Sequence, residues 1–365
     1  MNNPQCVLVT GASGLLGGRL VQSLTESPNQ KTDEAAREDI IVIAQGRDAG
    51  RLDFHSQHVI PLVFDFARES AASLADQLKK ICDQHDAQRI SVVHGAAAPA
   101  ASLAQDPMRA VEVNLRSAMT VATAVRPLGV RRFVSLSSIH VFGDLSGRTV
   151  RESDAVSPSH LYGATHASSE LLLRQALGDI PLTILRLSNV FGAPHDPCVE
   201  CWGLVINDLC RQAVCDGQMV VRSSGHQARD FVPATRFLEV VQKLIVVRPA
   251  SSGDNLEGVF HLGSGAAITI RQVAEWVARR ATEMGITAKP HFAGDHPPPG
   301  IPGFEYRMDG LMNAGLIAPT PDPGPSRETW QPDPAFIQEL DACLRFCQQH
   351  FAPSRDPSDH SAGQA

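Results

Sequence analysis

The chain has 365 residues, with 32 basic and 39 acidic side chains for a formal net charge of −7, and no long run of either sign, which argues against a nucleic-acid partner. No apolar stretch reaches the length of a membrane span and the start lacks the basic-then-apolar layout of a secretory signal, so no membrane partner is expected and the cytoplasm is the expected setting. The length suffices for one nucleotide-binding domain with a smaller companion lobe, and the eight scattered cysteines make no disulfide framework, Cys6 and Cys82 reading as small core hydrophobes.

The first predicted element is a buried strand over 6–9, apolar and without a polar face. It opens into the turn Thr10-Gly11-Ala-Ser13-Gly14 and then into a helical pattern carried by Leu15, Leu16, Leu20 and Leu24. Gly11 can take backbone angles closed to other residues, while Gly14 and Gly17 leave no Cβ where a pyrophosphate or a neighbouring strand comes close. The first turn of the helix aims its free N–H groups and positive dipole end at whatever lies over the loop. Gly11, Ser13, Gly14, Leu15, Leu16 and Gly17 are therefore the candidate cofactor-binding residues. A tight turn without a ligand would use the same glycines, but strand, turn and helix occur in the order a phosphate site requires. The run Thr-Gly-x-x-Gly-x-x-Gly resembles the extended short-chain dehydrogenase/reductase family, which includes sugar-nucleotide epimerases, dehydratases and reductases.

Residues 27–39 are polar and charged and read as a surface insertion before a second strand over 40–44. The next informative position is Gln45-Gly46-Arg47. A free ribose 2′-hydroxyl is normally held there by an acidic side chain, whereas a 2′-phosphate needs a cation. The carboxylate is missing and Arg47 is present, which favours NADP over NAD; a solvated loop arginine is the alternative. A third strand over 59–64 ends in Asp65-Phe66, where the resemblance implies contact with the adenine. An amphipathic helix over 71–82 follows.

The fourth strand leads through His94 to Gly95-Ala96-Ala97-Ala98. This run looks like the family's His-x-Ala-Ala stretch, whose small residues let the backbone lie against the cofactor, with Ala96 and Ala97 as contacts. His94 itself reads as a hydrogen-bonded strand-end histidine. One long helix is expected over 107–125, in which Asn114 matches the family asparagine that braces the active-site backbone. In such proteins that helix and the one after Tyr162 pair across a two-fold axis, so a homodimer is expected.

A fifth strand over 132–136 delivers Ser137-Ser138-Ile139-His140-Val-Phe-Gly143, which resembles Ser-Ser-x-x-Val-Tyr-Gly. Ser138 aligns with the hydroxyl that binds a substrate carbonyl or alcohol. Sugar-nucleotide dehydratases carry Asp-Glu at the next two places; Ile139-His140 disfavours dehydration here. Tyr162-Gly-Ala-Thr-His166 then opens a helix through Ser169, Glu170 and Leu173, where the family has Tyr-x-x-x-Lys with both side chains on one face. The tyrosine matches and the lysine does not.

An unperturbed phenol titrates near ~10, and an imidazole with a reference value of ~6.5 is largely neutral at pH 7, so it cannot favour phenolate as a lysine does. Three readings stay open. His166 takes the lysine's place in a coupled pair with Tyr162; or the chain binds cofactor but turns over weakly or not at all; or another cation or an ordered water serves instead.

A sixth strand over 182–187 leads into Arg186-Leu-Ser-Asn189-Val-Phe-Gly192, similar to the family's Arg-x-x-Asn-Val-Tyr-Gly, where Asn189 matches a residue reaching the substrate diphosphate. Arg229-Asp-Phe resembles the family motif whose arginine grips that diphosphate, a geometry that suits the planar guanidinium. The same Arg-Asp pair serves elsewhere as a structural ion pair. Residues 259–265 resemble Tyr-Asn-x-Gly-Ser-Gly, with His261 for Asn, and a helix over 270–280 follows. His195, Cys198 and Cys201 have ligand-like spacing, but a tetrahedral zinc site needs a fourth ligand, and free cysteines in a variable loop are the simpler reading; no metal is expected. Residues 291–303 read as a loop over the substrate mouth, 336–351 as a closing amphipathic helix with Cys343 and Cys347 on one core-facing side, and the tail as disordered.

The expected fold is thus α/β, a Rossmann-type doubly wound parallel sheet over 1–193 and about 220–262, with a smaller mixed lobe over about 194–219 and 263–350 and a tail from 351. The expected function is NAD(P)-dependent hydride transfer at a sugar carbon of a nucleotide-diphospho-sugar, with Tyr162 as acid/base, Ser138 as anchor and His166 as orienting partner. Two alternatives are an NADP-dependent reductase of a small non-nucleotide carbonyl compound and a catalytically weak cofactor-binding protein. Epimerisation and net reduction are not distinguished.

Overall fold

The computed structural model describes residues 4–26, 40–246, 256–294, 303–318 and 331–352. The expected insertion at 27–39, most of the proline-rich stretch and the expected disordered tail lie outside them. The chain opens with β1 (Gln5–Thr10), α1 (Leu15–Thr25), β2 (Ile40–Gly46), β3 (Val59–Val63), α2 (Ala71–Gln84) and β4 (Ile90–His94). Then come α3 (Arg116–Val125), β5 (Val130–Ser138), β6 (Thr149–Val150), α4 (Leu161–Leu177) and β7 (Leu182–Leu187). The middle of β1, Cys6–Val9, is an unbroken apolar run and β4 is buried along its length, because helices cover both faces of a parallel sheet. α2 places Leu74, Leu78 and Cys82 in the core at four-residue spacing, and Ser70 caps it by accepting from Ser73 N.

The second half contributes β8 (Asn189–Phe191), α5 (Val205–Asp216), β9 (Gln218–Val221), β10 (Ala228–Pro233), α6 (Ala234–Val246) and β11 (Gly258–Leu262). It closes with β12 (Ala267–Thr269), α7 (Ile270–Glu283), β13 (Lys289–Phe292), β14 (Glu305–Tyr306) and α8 (Pro334–Phe351). Seven strands form one parallel sheet in the order β11-β7-β5-β4-β1-β2-β3. The order reverses between β1 and β4, and in such sheets that is where ligands bind beyond the strand carboxyl ends. β8, β10 and β12 form a separate sheet, so the chain enters the companion lobe at Asn189 and returns with α6 and β11.

The lobe's core joins Phe191, Phe231 and Val273 to Leu340, Cys343 and Cys347 of α8, so these two cysteines are packing groups. Arg19 of α1 reaches across to donate to Ala193 O (2.7 Å) and to Glu339 of α8 (2.8 Å). Glu339 is buried and also accepts from Ala193 N and Thr235 N, both at 3.1 Å, which clasps the two lobes together.

Two expectations are corrected. The single helix over 107–125 is divided into Pro107–Ala110, a π turn at Val111–Leu115 and α3. The wider turn lets Asn114 O accept from Ser169 Oγ at 3.2 Å instead of being spent wholly within the helix. The loop expected from residue 291 begins later, because His291 and Phe292 belong to β13, paired parallel to β9, with Phe292 under the Arg271 guanidinium at 3.8 Å.

Behind the strand ends, Arg186 of β7 and Glu170 of α4 form a buried bidentate pair (2.9 and 2.7 Å), and Ser137 of β5 donates to the same carboxylate at 2.6 Å. Removing one member strands the other charge, which costs about 3–5 kcal/mol. Glu170→Ala is therefore expected to lose stability on that scale in urea unfolding, and a loss below about 1 kcal/mol would show that Arg186 finds another partner. The buried histidines make a second expectation. His94 shares a 2.9 Å hydrogen bond with Thr10, and His261 donates through Nδ1 to Arg307 O at 2.9 Å while stacked on Tyr306; burial pushes them down to about 4 and about 3. An unfolded histidine binds its proton near ~6.5, so the unfolded chain takes up more protons and stability present at pH 7 is lost as pH falls through 6.5 towards 4. The urea midpoint should fall over that interval, and a midpoint flat down to pH 4 would contradict the burial of neutral imidazoles.

Candidate active site

The turn after β1 is built around a close approach. Gly11 has φ +72°, and a Cβ on it would lie 2.9 Å from Gly95 O; one on Gly17 would lie 2.3 Å from Gly11 O. No other residue fits either place. Gly14 leads α1 without a side-chain cap, and the N–H groups of Leu15, Leu16 and Gly17 have no acceptor four residues back within the helix. With Ser13 in the turn, the expected phosphate-binding set forms one continuous rim. The loop after β4 is tied to it by Thr10 Oγ1, which accepts from Gly95 N and Ala96 N, both at 3.2 Å, leaving Ala97 exposed at the mouth.

Gln45, a polar residue at the end of an apolar strand, has a structural task that the motif does not carry. It is buried at the end of β2 and accepts from Gly11 N at 3.2 Å while donating to Phe64 O at 2.8 Å. The usual place of the ribose carboxylate is therefore taken by a structural amide. Arg47 stands exposed just beyond, without a hydrogen bond or ion pair among the described residues. Asp65 turns its carboxylate to Ala67 N at 3.0 Å and Phe66 packs in the core against Phe64.

Asn114 joins the loop after β4 to α4: its Oδ1 accepts from Ala98 N at 2.8 Å and its Nδ2 donates to Thr165 at 2.9 Å. This is the bracing role expected of it. Ser138, at the end of β5, is hydrogen-bonded to the Tyr162 hydroxyl, and the His166 ring stands 4.5 Å from the Tyr162 ring at 72°. The three residues expected to act together do converge. Burial raises the phenol above its ordinary value while the Ser138 hydrogen bond opposes the rise. Burial likewise holds His166 down at about 4, against the pull of Glu170, so it is neutral at pH 7. Its buried Nε2 has no hydrogen-bond partner among the described residues. The only other tyrosine, Tyr306, is buried and donates to Arg186 O at 2.8 Å, which leaves Tyr162 as the available phenol.

In the companion lobe a cleft of about 830 Å³ is lined by Arg211, Arg222, Arg229, Gln227, Leu209 and Val221. Arg229 does not form a structural pair with Asp230. The Asp230 carboxylate lies buried on the other face of β10 and accepts from Ser264 N (2.9 Å) and Ser264 Oγ (3.0 Å), while Arg229 makes no ion pair among the described residues. Asn189 donates one amide hydrogen to Asp230 O at 2.8 Å. His195 stacks on Phe54 at 5.2 Å and fills the space over Gly18; Cys198 is exposed and Cys201 buried, its thiol pushed up to about 12 by burial. Among the described residues no group of His, Cys, Asp and Glu side chains is placed to hold a metal ion, and no helix is long and apolar enough to cross a membrane.

Comparison with known proteins supports the same architecture. A relative from Haloferax volcanii, the low-salt glycan biosynthesis protein Agl12, is 24% identical over 346 residues, covering 93% of this chain and 97% of its own. The UDP-glucose 4-epimerase of Mycolicibacterium smegmatis is 25% identical over 349 residues, 93% of this chain and 97% of that one. Among solved structures, the UDP-glucuronic acid 4-epimerase of Bacillus cereus, in complex with UDP-glucuronic acid and NAD, superposes with a TM-score of 0.70 at 19% identity, over 94% of this chain and 99% of that one. The model of the NAD dependent epimerase/dehydratase family matches residues 7–245. With that span covering the β1 turn, Ser138, Tyr162 and Arg229, the chain belongs to the NAD dependent epimerase/dehydratase family.

Proposed function

We propose that the protein transfers hydride between a nicotinamide cofactor and a sugar carbon of a nucleotide-diphospho-sugar. The observation that carries the reading is the convergence of Ser138, Tyr162 and His166 beside a glycine turn closed to any Cβ. The chain suits the cofactor: the turn 11–17 with its free helix-start N–H groups takes the pyrophosphate, the backbone at 65–66 faces the adenine, Ala96 and Ala97 flank the rings, and the orphaned His166 Nε2 is open to a cofactor hydroxyl. When bound, the oxidised nicotinamide supplies a hydride acceptor and a positive charge. Ser138 holds the reacting oxygen, and Tyr162 gives or takes its proton.

The exposed Arg47 and the absence of a carboxylate at Gln45 support NADP ahead of NAD, although NAD is the cofactor bound by the Bacillus cereus relative. Arg229, with Arg211 and Arg222 lining the same cleft, offers the planar cations a diphosphate needs, and the remaining Asn189 amide hydrogen adds a donor. Relatives whose names specify UDP-sugars support a UDP-sugar as substrate. Met108 and Leu171, 64% and 67% exposed on the helices that flank the site, support a homodimer, and the cytoplasm remains the proposed setting.

A second reading is favoured by one observation. His166 is neutral and Tyr162 is raised, so without the family lysine no cation among the described residues pairs with the phenol, and the chain would be a weak catalyst that keeps cofactor binding. Under the main proposal Tyr162→Phe lowers kcat by about 10²–10⁴-fold with cofactor affinity little changed, while His166→Lys alters kcat less than about tenfold, both read by nicotinamide absorbance. A steep rise or first appearance of turnover in His166→Lys would favour the second reading. Titration calorimetry separates the two binding regions: Arg229→Ala is expected to weaken UDP binding by about 10-fold or more and leave pyridine nucleotide binding intact, since a charged hydrogen bond is worth about 1.5–3 kcal/mol. If neither NAD nor NADP binds the unmodified protein, the proposal fails.

A further inference from the structure

A second cavity, of about 730 Å³, opens at the opposite end of the sheet from the cofactor turn, where β4 begins, and is lined by Lys79, Cys82, Asp83, Arg89, Ile90 and Gly129. Cys82 stands in the last turn of α2, where its carbonyl accepts from Ala87 N at 2.9 Å, and its side chain reaches the cavity wall with 7% exposure. Cys6, near the start of β1, donates its N–H to Arg89 O at 3.3 Å, lies in register with Ile90 and is wholly buried. The connection from α2 to β4 thus folds one thiol onto the other, and the two side chains share a hydrogen bond inside one apolar cluster. That bond from Cys6 lowers the Cys82 thiol against the opposing effect of burial, while the same bond and burial raise Cys6. Cys82 is then the thiol that ionises and Cys6 the one that keeps its proton. Cys210 and Cys343 of the companion lobe also share a hydrogen bond, but they are 0% and 1% exposed and burial raises Cys343 well above its ordinary value.

We propose that Cys82 is a modification site, a thiol that small hydroperoxides oxidise through the second cavity, with Cys6 behind it as the partner that closes a disulfide. The Cys82 thiolate attacks one oxygen of the hydroperoxide, an S–O bond forms, the O–O bond breaks and hydroxide or alkoxide leaves, so that sulfur is oxidised and the peroxide reduced. Cys6 then gives up its proton and attacks the Cys82 sulfur; the S–S bond forms, the S–O bond breaks, and the oxygen departs as water with that proton. The disulfide joins β1 to α2 and holds Cys82 at a reversible state short of sulfinic acid. A thiol without such a neighbour would continue up that series, and a pair without a cavity would not meet the oxidant. Neither Cys6 nor Cys82 lines the diphosphate cleft, so the chemistry is read independently of hydride transfer.

The experiment treats the full, reduced chain with hydrogen peroxide, alkylates the remaining thiols after unfolding and reads the digest by mass spectrometry. The expected product is a pair of peptides joined through Cys6 and Cys82 and released by dithiothreitol, with Cys210 and Cys343 still reduced. In Cys6→Ala the joined pair is lost and Cys82 carries sulfenic or sulfinic acid instead. In Cys82→Ala the pair is lost and Cys6 stays reduced, with circular dichroism confirming that both variants fold. In the unmodified chain, a Cys82 that stays reduced while the exposed Cys198 oxidises would overturn the proposal, as would Cys82 sulfinic acid without the link to Cys6. A link that forms only after urea has unfolded the chain, or equal oxidation of Cys210 and Cys343, would overturn it too.

Discussion

A carboxylate and a guanidinium buried together must satisfy one another, and the pair between Glu170 and Arg186 therefore decides how three elements meet. Glu170 belongs to α4, Arg186 to β7, and Ser137, the third partner, to β5. Ser138 follows Ser137 by one residue, and His166 precedes Glu170 by one helical turn, with Tyr162 one turn before that. Holding the carboxylate behind the strand ends thus aims the phenol, the imidazole and the hydroxyl at a common point. The Asn114 side chain, bridging Ala98 N and Thr165, ties the same helix to the loop after β4, and its backbone carbonyl, in the π turn, accepts from Ser169.

Electrostatically the centre is unusual in holding an imidazole, His166, where a permanent cation is the family's device. His140 and His166 are each held near 4, with burial as the largest cause. In this environment burial raises the phenol above its ordinary value, so it is protonated at pH 7.

The two halves of the Arg229-Asp230 dipeptide do different work because successive strand residues face opposite sides. Asp230 turns inward to Ser264 and holds the lobe together, while Arg229 turns to the cleft. The Arg19–Glu339 clasp then keeps that cleft in register with the β1 turn.

The fold and cofactor region were legible in the sequence because they are written in local terms: apolar runs for buried parallel strands, glycines where a Cβ has no room, and motif residues at helical spacing. Ser138, Tyr162, His166 and Asn114 could be named from motifs that lie on single elements. What could not be read was whatever depends on partners distant in the chain. The strand over 40–44 pointed to Arg47, but only the packed structure shows Gln45 spending its amide on Gly11 and Phe64. The sequence leads to one helix over 107–125, whereas the π turn at Val111–Leu115 leaves the Asn114 carbonyl to accept from Ser169, distant in the chain. An Arg-Asp pair has two meanings in sequence, and tertiary contacts selected one by giving Asp230 other partners. Sequence by itself determined which residues are the candidates for the chemistry, since side-chain type and short spacing are covalent facts; tertiary structure alone decided their neighbours and their burial, because desolvation and hydrogen-bond pairing arise only when distant segments bury one another.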